Sequence, residues 1–500
     1  MDLFSNLALG FSVAISPMAL LICLLGVSLG MVVGVLPGLG AITAIAMLLP
    51  VTYYLEPTHA LIMLAGIYYG AAFGGSTASI LLNLPGTPSS AITALDGYPL
   101  GQKGKAGVAL LVAAMSSFFG GTVGVLLLAT VAPALVKVAL SFSSAEYFSV
   151  MLLGLIAAVT LAEGSPIKGL IAVAIGLLFG LVGADPQTGS VRYGFGIPQM
   201  FDGFSLVAVV MGLFGVAEVM ANVGNDSGHR ATHRISFREM LPSRAELRQT
   251  IKPILRGSAV GSAVGILPGT GVVVASFMAY ALEKKISKTP ERFGQGAIEG
   301  ISAPEAANNA CTQTTFIPTL AIGIPGDAVT AIMLSALILH GITPGPTVIA
   351  SQPDMFWGLV VSFWIGNLIL VIMNIPLVGI WVKLLSIPYR LMYPSIILFI
   401  CIGVYSVNNS VFDIFVALGF GLLGLFMRMI GLSTAPLLLG FVLGPMMESH
   451  FRRALTLARG DLGVFFDRPV SAVFLLLCAL FVVSWIISAR RTKRKKANAG

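Results

Sequence analysis

Between Leu3 and Leu55 there is not one Asp, Glu, Lys or Arg, and residues 57–95 carry only His59. Further charge-free runs cover 106–136, 391–412, 429–447 and 469–489. About 20 mostly apolar residues cross the hydrocarbon core of a bilayer, where every backbone N–H and C=O must be satisfied within the protein. Such runs admit one solution at this frequency, a bundle of membrane helices. Charged residues make up 10% of the 500-residue chain, against about 25% in soluble domains. One all-α polytopic domain is therefore expected in place of several soluble ones.

Apolar runs mark segments at 7–33, 58–73, 106–136, 145–162, 165–184, 203–222, 257–281, 327–350, 355–384, 391–407, 410–430, 433–449 and 469–489. The expected total is about 10–13 membrane segments. The start, "MDLFSNLALG", has neither a basic leader nor a small-residue cleavage site, so no removable signal peptide is expected. The net charge of +8 comes from short loops and the tail "RRTKRKK" (490–496), which reads as topogenic charge and not as a nucleic-acid footprint. Positive charge inside puts the Arg-rich linker 224–256 and the tail 490–500 in the cytoplasm, and the nearly uncharged loop 185–196 on the other side. One conflict stands. Arg452, Arg453, Arg459 and Arg468 lie a single span from the basic tail, so either 433–449 does not fully cross or 451–468 lies flat on the surface.

The chain repeats itself. "GVLPGLG" (34–40) returns as "GILPGTG" (265–271) at an offset of 231, and "SILLNLPGTPSSAI" (79–92) returns as "TLAIGIPGDAVTAI" (319–332) at an offset of 240. Two paired motifs in one order mean two homologous halves, here 1–223 and 257–489. The span count between them leaves parallel and inverted arrangements open; inverted repeats are the commoner design in secondary transporters and are expected here.

Each motif breaks a span with Pro-Gly. Proline removes a backbone hydrogen bond, and hydrocarbon tolerates the gap only where protein buries it or water fills it. Ordinary proline kinks would explain one such break; four, in repeat-related pairs among small polar residues, read as discontinuous helices whose ends face a solute. The candidate substrate- or ion-binding residues are Gly38, Gly40, Ser76, Thr77, Ser79, Asn83, Pro85, Gly86, Thr87 and Ser89 in the first half. The second half supplies Gly269, Gly271, Glu305, Asn308, Asn309, Thr312, Pro325, Gly326 and Asp327. Neutral donors and backbone amides suit a carboxylate that must also be released. Glu305 is the ionisable group most expected to serve a coupling cation, while Asp327 could simply cap the next helix and Asp96 should end a hairpin near water. "GQKGKAG" (101–107) lacks the glycine and the Ser/Thr of a P-loop, and neither the five histidines nor the four cysteines have metal spacing, so no enzyme, metal site or cofactor is expected.

"GVLPGLG", "YYGAAFGGSTASILLNLPGTPSSAITALDGYPL", "GILPGTG", "PEAANNA" and "IPTLAIGIPGD" together resemble the large membrane subunit of the tripartite tricarboxylate transporters, over nearly the whole chain. The resemblance implies a secondary transporter of the bacterial inner membrane that takes up carboxylates and is coupled to Na⁺ or H⁺. It further implies two partners, a small four-helix membrane subunit and a periplasmic solute-binding protein. A self-sufficient symporter or channel for another solute is the competing expectation.

Overall fold

Hydrocarbon offers the backbone no water to bond, and the chain answers with helices almost throughout. The computed structural model describes residues 3–36, 40–83, 85–161, 166–185, 187–222, 237–269, 271–374, 377, 379–381 and 389–497. Gly38, the linker residues 224–236 and the tail residues 498–500 lie outside the described residues. The first half comprises α1 (Leu3–Ala14), α2 (Pro17–Val35), α3 (Gly40–Thr52), α4 (Pro57–Leu82), α5 (Ala91–Leu100), α6 (Ala106–Ala139), α7 (Ser144–Leu161), α8 (Pro166–Gly180), α9 (Leu206–Val210) and α10 (Ala217–Asn222). A short antiparallel pair, β1 (Gly183–Ala184) and β2 (Val191–Arg192), lies between α8 and α9. The second half follows with α11 (Phe237–Met240), α12 (Arg244–Gly265), α13 (Gly271–Ile286), α14 (Glu299–Thr314), α15 (Phe316–Ala321), α16 (Ala328–Leu339), α17 (Thr347–Ser351) and α18 (Pro353–Asn374). It ends with α19 (Tyr389–Asn408), α20 (Val411–Met429), α21 (Thr434–Leu457), α22 (Val464–Asp467) and α23 (Pro469–Ala497). Among the described residues, five helical stretches are long and apolar enough to cross a membrane by length and composition, and several shorter apolar helices accompany them. The protein is an all-α polytopic membrane protein.

The repeat seen in the sequence is repeated in the packing. Lipid gives helices no hydrophobic reason to associate, so close backbone approach at small residues carries the contact. A Cβ placed on Gly26, Gly30 or Gly34 of α2 would fall 2.6, 2.4 or 2.2 Å from the carbonyl oxygens of Met63, Ile67 and Ala71 on α4. On α12, a Cβ at Gly257, Gly261 or Gly265 would fall 2.3, 2.2 or 2.7 Å from those of Ala303, Ala307 and Cys311 on α14. The glycines are related by the offset of 231 and their partners by the offset of 240. Two halves therefore use one helix pair twice.

The stretches 7–33 and 257–281, each expected as one span, are each two helices. Ser16 caps α2 at Pro17, accepting from the Ala19 N–H at 3.3 Å, and so ends α1. The second stretch folds back on itself at Pro268–Gly269. Arg256, midway along α12, grips Glu283 near the outer end of α13 through two bonds of 2.5 and 2.8 Å, so the arms run antiparallel and this hairpin enters and leaves by one face. On that same face, Lys105 meets Glu246 at 2.7 Å. The hairpin α2–α3 opens the other way. Tyr53, just past α3, stacks on His340 beyond α16, and Gly10 in α1 packs on Trp357 near the start of α18. Opposed hairpins make the repeats inverted, as expected.

Pairing removes half of the arginine conflict. α21 runs parallel to α8, with Gly176 against Leu437 and Gly180 against Phe441, from the Lys168–Ile430 end to the β1–β2 end. There Arg452 bonds Asp185 at 2.8 Å and Glu448 at 3.2 Å, and Arg192 bonds the same two carboxylates at 2.5 and 2.9 Å. The guanidinium of Arg452, with the Gln187 N–H and Arg192, holds the Asp185 carboxyl well below the usual carboxylate range. Arg468 is taken up by Glu146 at 3.0 Å. Arg452 and Arg468 are thus neutralised by carboxylates and weigh little as topogenic charge, which leaves Arg453 and Arg459 as the basic residues of this end, while α21 runs alongside α8.

Candidate functional site

Both halves end a long helix, turn at Pro-Gly, and restart. In the second half the turn is buried, and the two breaks touch: the Gly269 N–H donates to the Gly326 carbonyl at 2.9 Å, and the Gly326 N–H to Thr319 Oγ1 at 3.2 Å. Gly269 and Gly271, with φ of 78° and 71°, hold left-handed backbone that a side chain would strain, and Gly271 packs against the Cβ of Asp327. In the first half Gly86 is wedged so tightly that a Cβ would lie 1.9 Å from the Gly34 carbonyl and 2.8 Å from Gly75 Cα. Gly40, φ 58°, starts α3 in open space. Asn83 takes a different part: it is exposed and left-handed at φ 57°, and its N–H closes α4 on the Ser79 carbonyl at 3.1 Å. Pro85 beside it is exposed, whereas Pro325 is buried.

Glu305 lies deep between four helices. Its Oε1 accepts from Ser76 at 2.7 Å and Thr93 at 2.5 Å, and its Oε2 from Ser117 at 3.0 Å. It is only 1% exposed, and no Lys, Arg or His is among these partners. A carboxylate so placed is a costly group that three hydroxyls stabilise without neutralising. Thr77 faces elsewhere, donating to Asn374 Oδ1 at 3.2 Å. Ser79 donates to Ser90 at 3.0 Å, and Thr87 Oγ1 lies 3.3 Å from Ser89 Oγ.

Asp327 caps α16. Its Oδ1 accepts from the Thr330 N–H at 2.8 Å, Thr330 Oγ1 accepts from the Asp327 N–H at 2.9 Å, and the Tyr68 hydroxyl donates to Oδ2. Tyr68 belongs to α4, so this contact joins the halves. It also interacts with Thr312, whose own hydroxyl donates to the Asn308 carbonyl at 2.9 Å. Sequence reasoning missed Tyr68, Ser117 and Thr330 as parts of the site, though it placed Thr93 among the polar residues flanking the break; Tyr68 was detectable, because the offset of 240 places it opposite Asn308.

A further group stands without partners. Asn308 leaves both side-chain polar atoms unbonded, as do Gln313 and Asn367, and Asn309 leaves its Oδ1, its Nδ2 donating to the Glu305 carbonyl at 3.1 Å. All four are 1% exposed or less. Buried carboxamides are ordinarily bonded, and orphans at this density mark a place built for water, ion or ligand. Asp96, expected near water, is instead fully buried. Its Oδ1 accepts the N–H groups of Gly294, Gly296 and Ala297 at 2.7–2.9 Å, and its Oδ2 the Tyr280 hydroxyl at 2.9 Å, which fastens the α13–α14 connection to α5. Among the described residues no group of three His, Cys, Asp or Glu is placed to hold a metal ion.

The chain is 50% identical over 496 residues, 99% of both chains, to an uncharacterized 52.8 kDa protein in the TAR-I ttuC' 3' region of Agrobacterium vitis. It is 53% identical over 234 residues, 47% of this chain and 97% of the other, to an uncharacterized protein in the TAR-II ttuC' 3' region of the same organism. No solved structure matches. Residues 20–439 match the tripartite tricarboxylate transporter TctA family, and the chain belongs to that family.

Proposed function

We propose that this chain is the membrane subunit that moves a carboxylate anion into a bacterial cell, with Na⁺ or H⁺ as the driving cation. Solute is delivered by a periplasmic binding protein, and a small four-helix membrane subunit completes the assembly in the inner membrane. The halves 1–223 and 257–489, the cytoplasmic linker 224–256 and the cytoplasmic tail 490–500 form the working unit. The supporting observation is the opposed pair of broken helices in a member of this family, with Glu305 held by hydroxyls alone and orphaned carboxamides beside it. Discontinuous helices present backbone poles and small hydroxyls to solute, and a buried carboxylate without a basic partner is suited to take a cation or proton. Uptake of radiolabelled di- and tricarboxylates at micromolar concentration should require the chain, the small subunit and the binding protein together. Cells producing this chain alone should show background uptake. Robust uptake without either partner would point instead to a self-sufficient symporter.

A further inference from the structure

The two helix starts that follow the Pro-Gly breaks are built alike except for one charge. At an offset of 240, Thr87 corresponds to Asp327, Ser90 to Thr330, and Gly86 to Gly326. In each, the hydroxyl three residues on accepts from the backbone N–H of the first: Thr330 Oγ1 from Asp327 at 2.9 Å, Ser90 Oγ from Thr87 at 3.3 Å. The second-half start holds a resident carboxylate, that of Asp327, which receives the Thr330 N–H and the Tyr68 hydroxyl. The first-half start has none. Thr87 offers no acceptor of that strength, and its Oγ1 pairs with Ser89.

The residue that should complete the first-half start is the equivalent of Tyr68, which is Asn308. Asn308 is 1% exposed, and both its Oδ1 and Nδ2 lack partners. Its position fits. α5 and α14 run antiparallel, with Asp96 on Ala297 and Thr93 on Glu305, so Asn308, nearly a turn beyond Glu305, falls level with Ser89 and Ser90. A buried donor in register with a helix start capped by hydroxyls alone, in a place where the other half holds a carboxylate, calls for a carboxylate from outside.

We infer that one carboxylate of the transported anion binds at the Thr87–Ser90 helix start, taking from Asn308 Nδ2 the hydrogen bond that Asp327 takes from Tyr68. Asp327 is then the built-in counterpart of the substrate, and the two inverted halves differ in function: one start is closed by the chain and one is left for solute. An anion seated there lies about one turn from Glu305, so Glu305 must carry a proton or a cation whenever the subsite is filled. Binding and coupling become one electrostatic event. This subsite rests on the carboxylate-uptake reading and sharpens it.

The test installs the missing charge. Thr87→Asp should give the first-half start the acidic cap of the second, and acidic N-caps preserve or raise helix stability. If the subsite is real, the resident carboxylate should exclude the substrate, and uptake of citrate, malate and succinate by the full assembly should fall by roughly 30-fold or more, with membrane level and thermal midpoint of the purified subunit retained. Asn308→Asp, which places the charge from the opposite wall, should do the same. A merely structural start predicts uptake within about twofold of wild type for Thr87→Asp, and that outcome overturns the subsite. If Thr87→Asp proves unstable, Asn308→Asp decides by the same criterion. Failure of the wild-type assembly to take up any of the three anions would instead refute the carboxylate reading itself.

Discussion

Glu305 shows how far one residue can be read. Its neighbours in sequence mark it as an acidic group within an apolar half, and the structure adds that Ser76, Thr93 and Ser117 bond it, with no cation paired to it among the described residues. Three donors can hold an ionised carboxylate in place, yet removing one charge from water without a counter-charge remains expensive. Such a site gains from any cation or proton that arrives with substrate. Glu305→Gln keeps the shape and abolishes the charge. Accumulation against a gradient should be lost, while the subunit still inserts and still binds its solute-binding protein in a pull-down. Accumulation at wild-type level would make Glu305 a structural acceptor and move coupling elsewhere. The same residue also marks where sequence reading stops. That Glu305 is an ionisable group in an apolar half was visible from "PEAANNA"; that its partners come from α4, α5 and α6 was not, because Ser76, Thr93 and Ser117 are ordinary small polar residues until the fold gathers them.

At the scale of helices, the breaks and the repeat were legible because they are local: Pro-Gly pairs and their offsets can be counted in the chain. The splitting of 257–281 into a hairpin was not. Its hydropathy runs on through Pro268, and only the Arg256–Glu283 pair shows that both arms return to one face. Glycine spacing carries a stronger message than was drawn from it. The triplets Gly26, Gly30, Gly34 and Gly257, Gly261, Gly265 are spaced at four residues, one stripe of a helix, and each stripe admits a neighbouring backbone. Because the two stripes are equivalent, they should respond alike. Gly30→Ala and Gly261→Ala would each drive a Cβ to within 2.2–2.4 Å of a carbonyl oxygen. Each should therefore destabilise its half by about 1–3 kcal/mol through forced separation, read as a lower thermal midpoint in detergent. Gly419, where an added Cβ would meet nothing within 4 Å, should tolerate alanine. A difference between the two equivalent glycines as large as that between either and Gly419 would show that the halves pack by different rules.

For the whole molecule, the question is which face is which. α7 starts at the Glu146–Arg468 pair, and α23 runs beside it from the same end, with Ser149 Oγ 2.7 Å from Ser471 Oγ. α8 then returns to Asp185, so the two ends of α7 lie on opposite faces. The face reached by α23 holds Lys168 and the Arg428–Glu218 pair, the latter at 2.8 Å near the end of α10, from which the chain enters the basic linker. α10 and α23 thus lead to one face by contacts alone, and the Asp185–Arg192–Glu448–Arg452 network marks the other. The cytoplasmic orientation we propose follows from charge: the arginines of that network are paired with carboxylates, whereas the tail sequence holds "RRTKRKK", and each Lys or Arg near an anionic cytoplasmic surface gains about 1 kcal/mol. Single cysteines at Ser227, Ala497 and Thr188, in a chain with Cys23, Cys311, Cys401 and Cys478 replaced, test both steps. An impermeant thiol reagent applied to intact cells should label position 188 and spare 227 and 497, and permeabilisation should expose all three. Labelling of 188 and 497 from the same side would break the helix path through α8 and α23; labelling of 227 and 497 in place of 188 would keep the path and reverse the orientation.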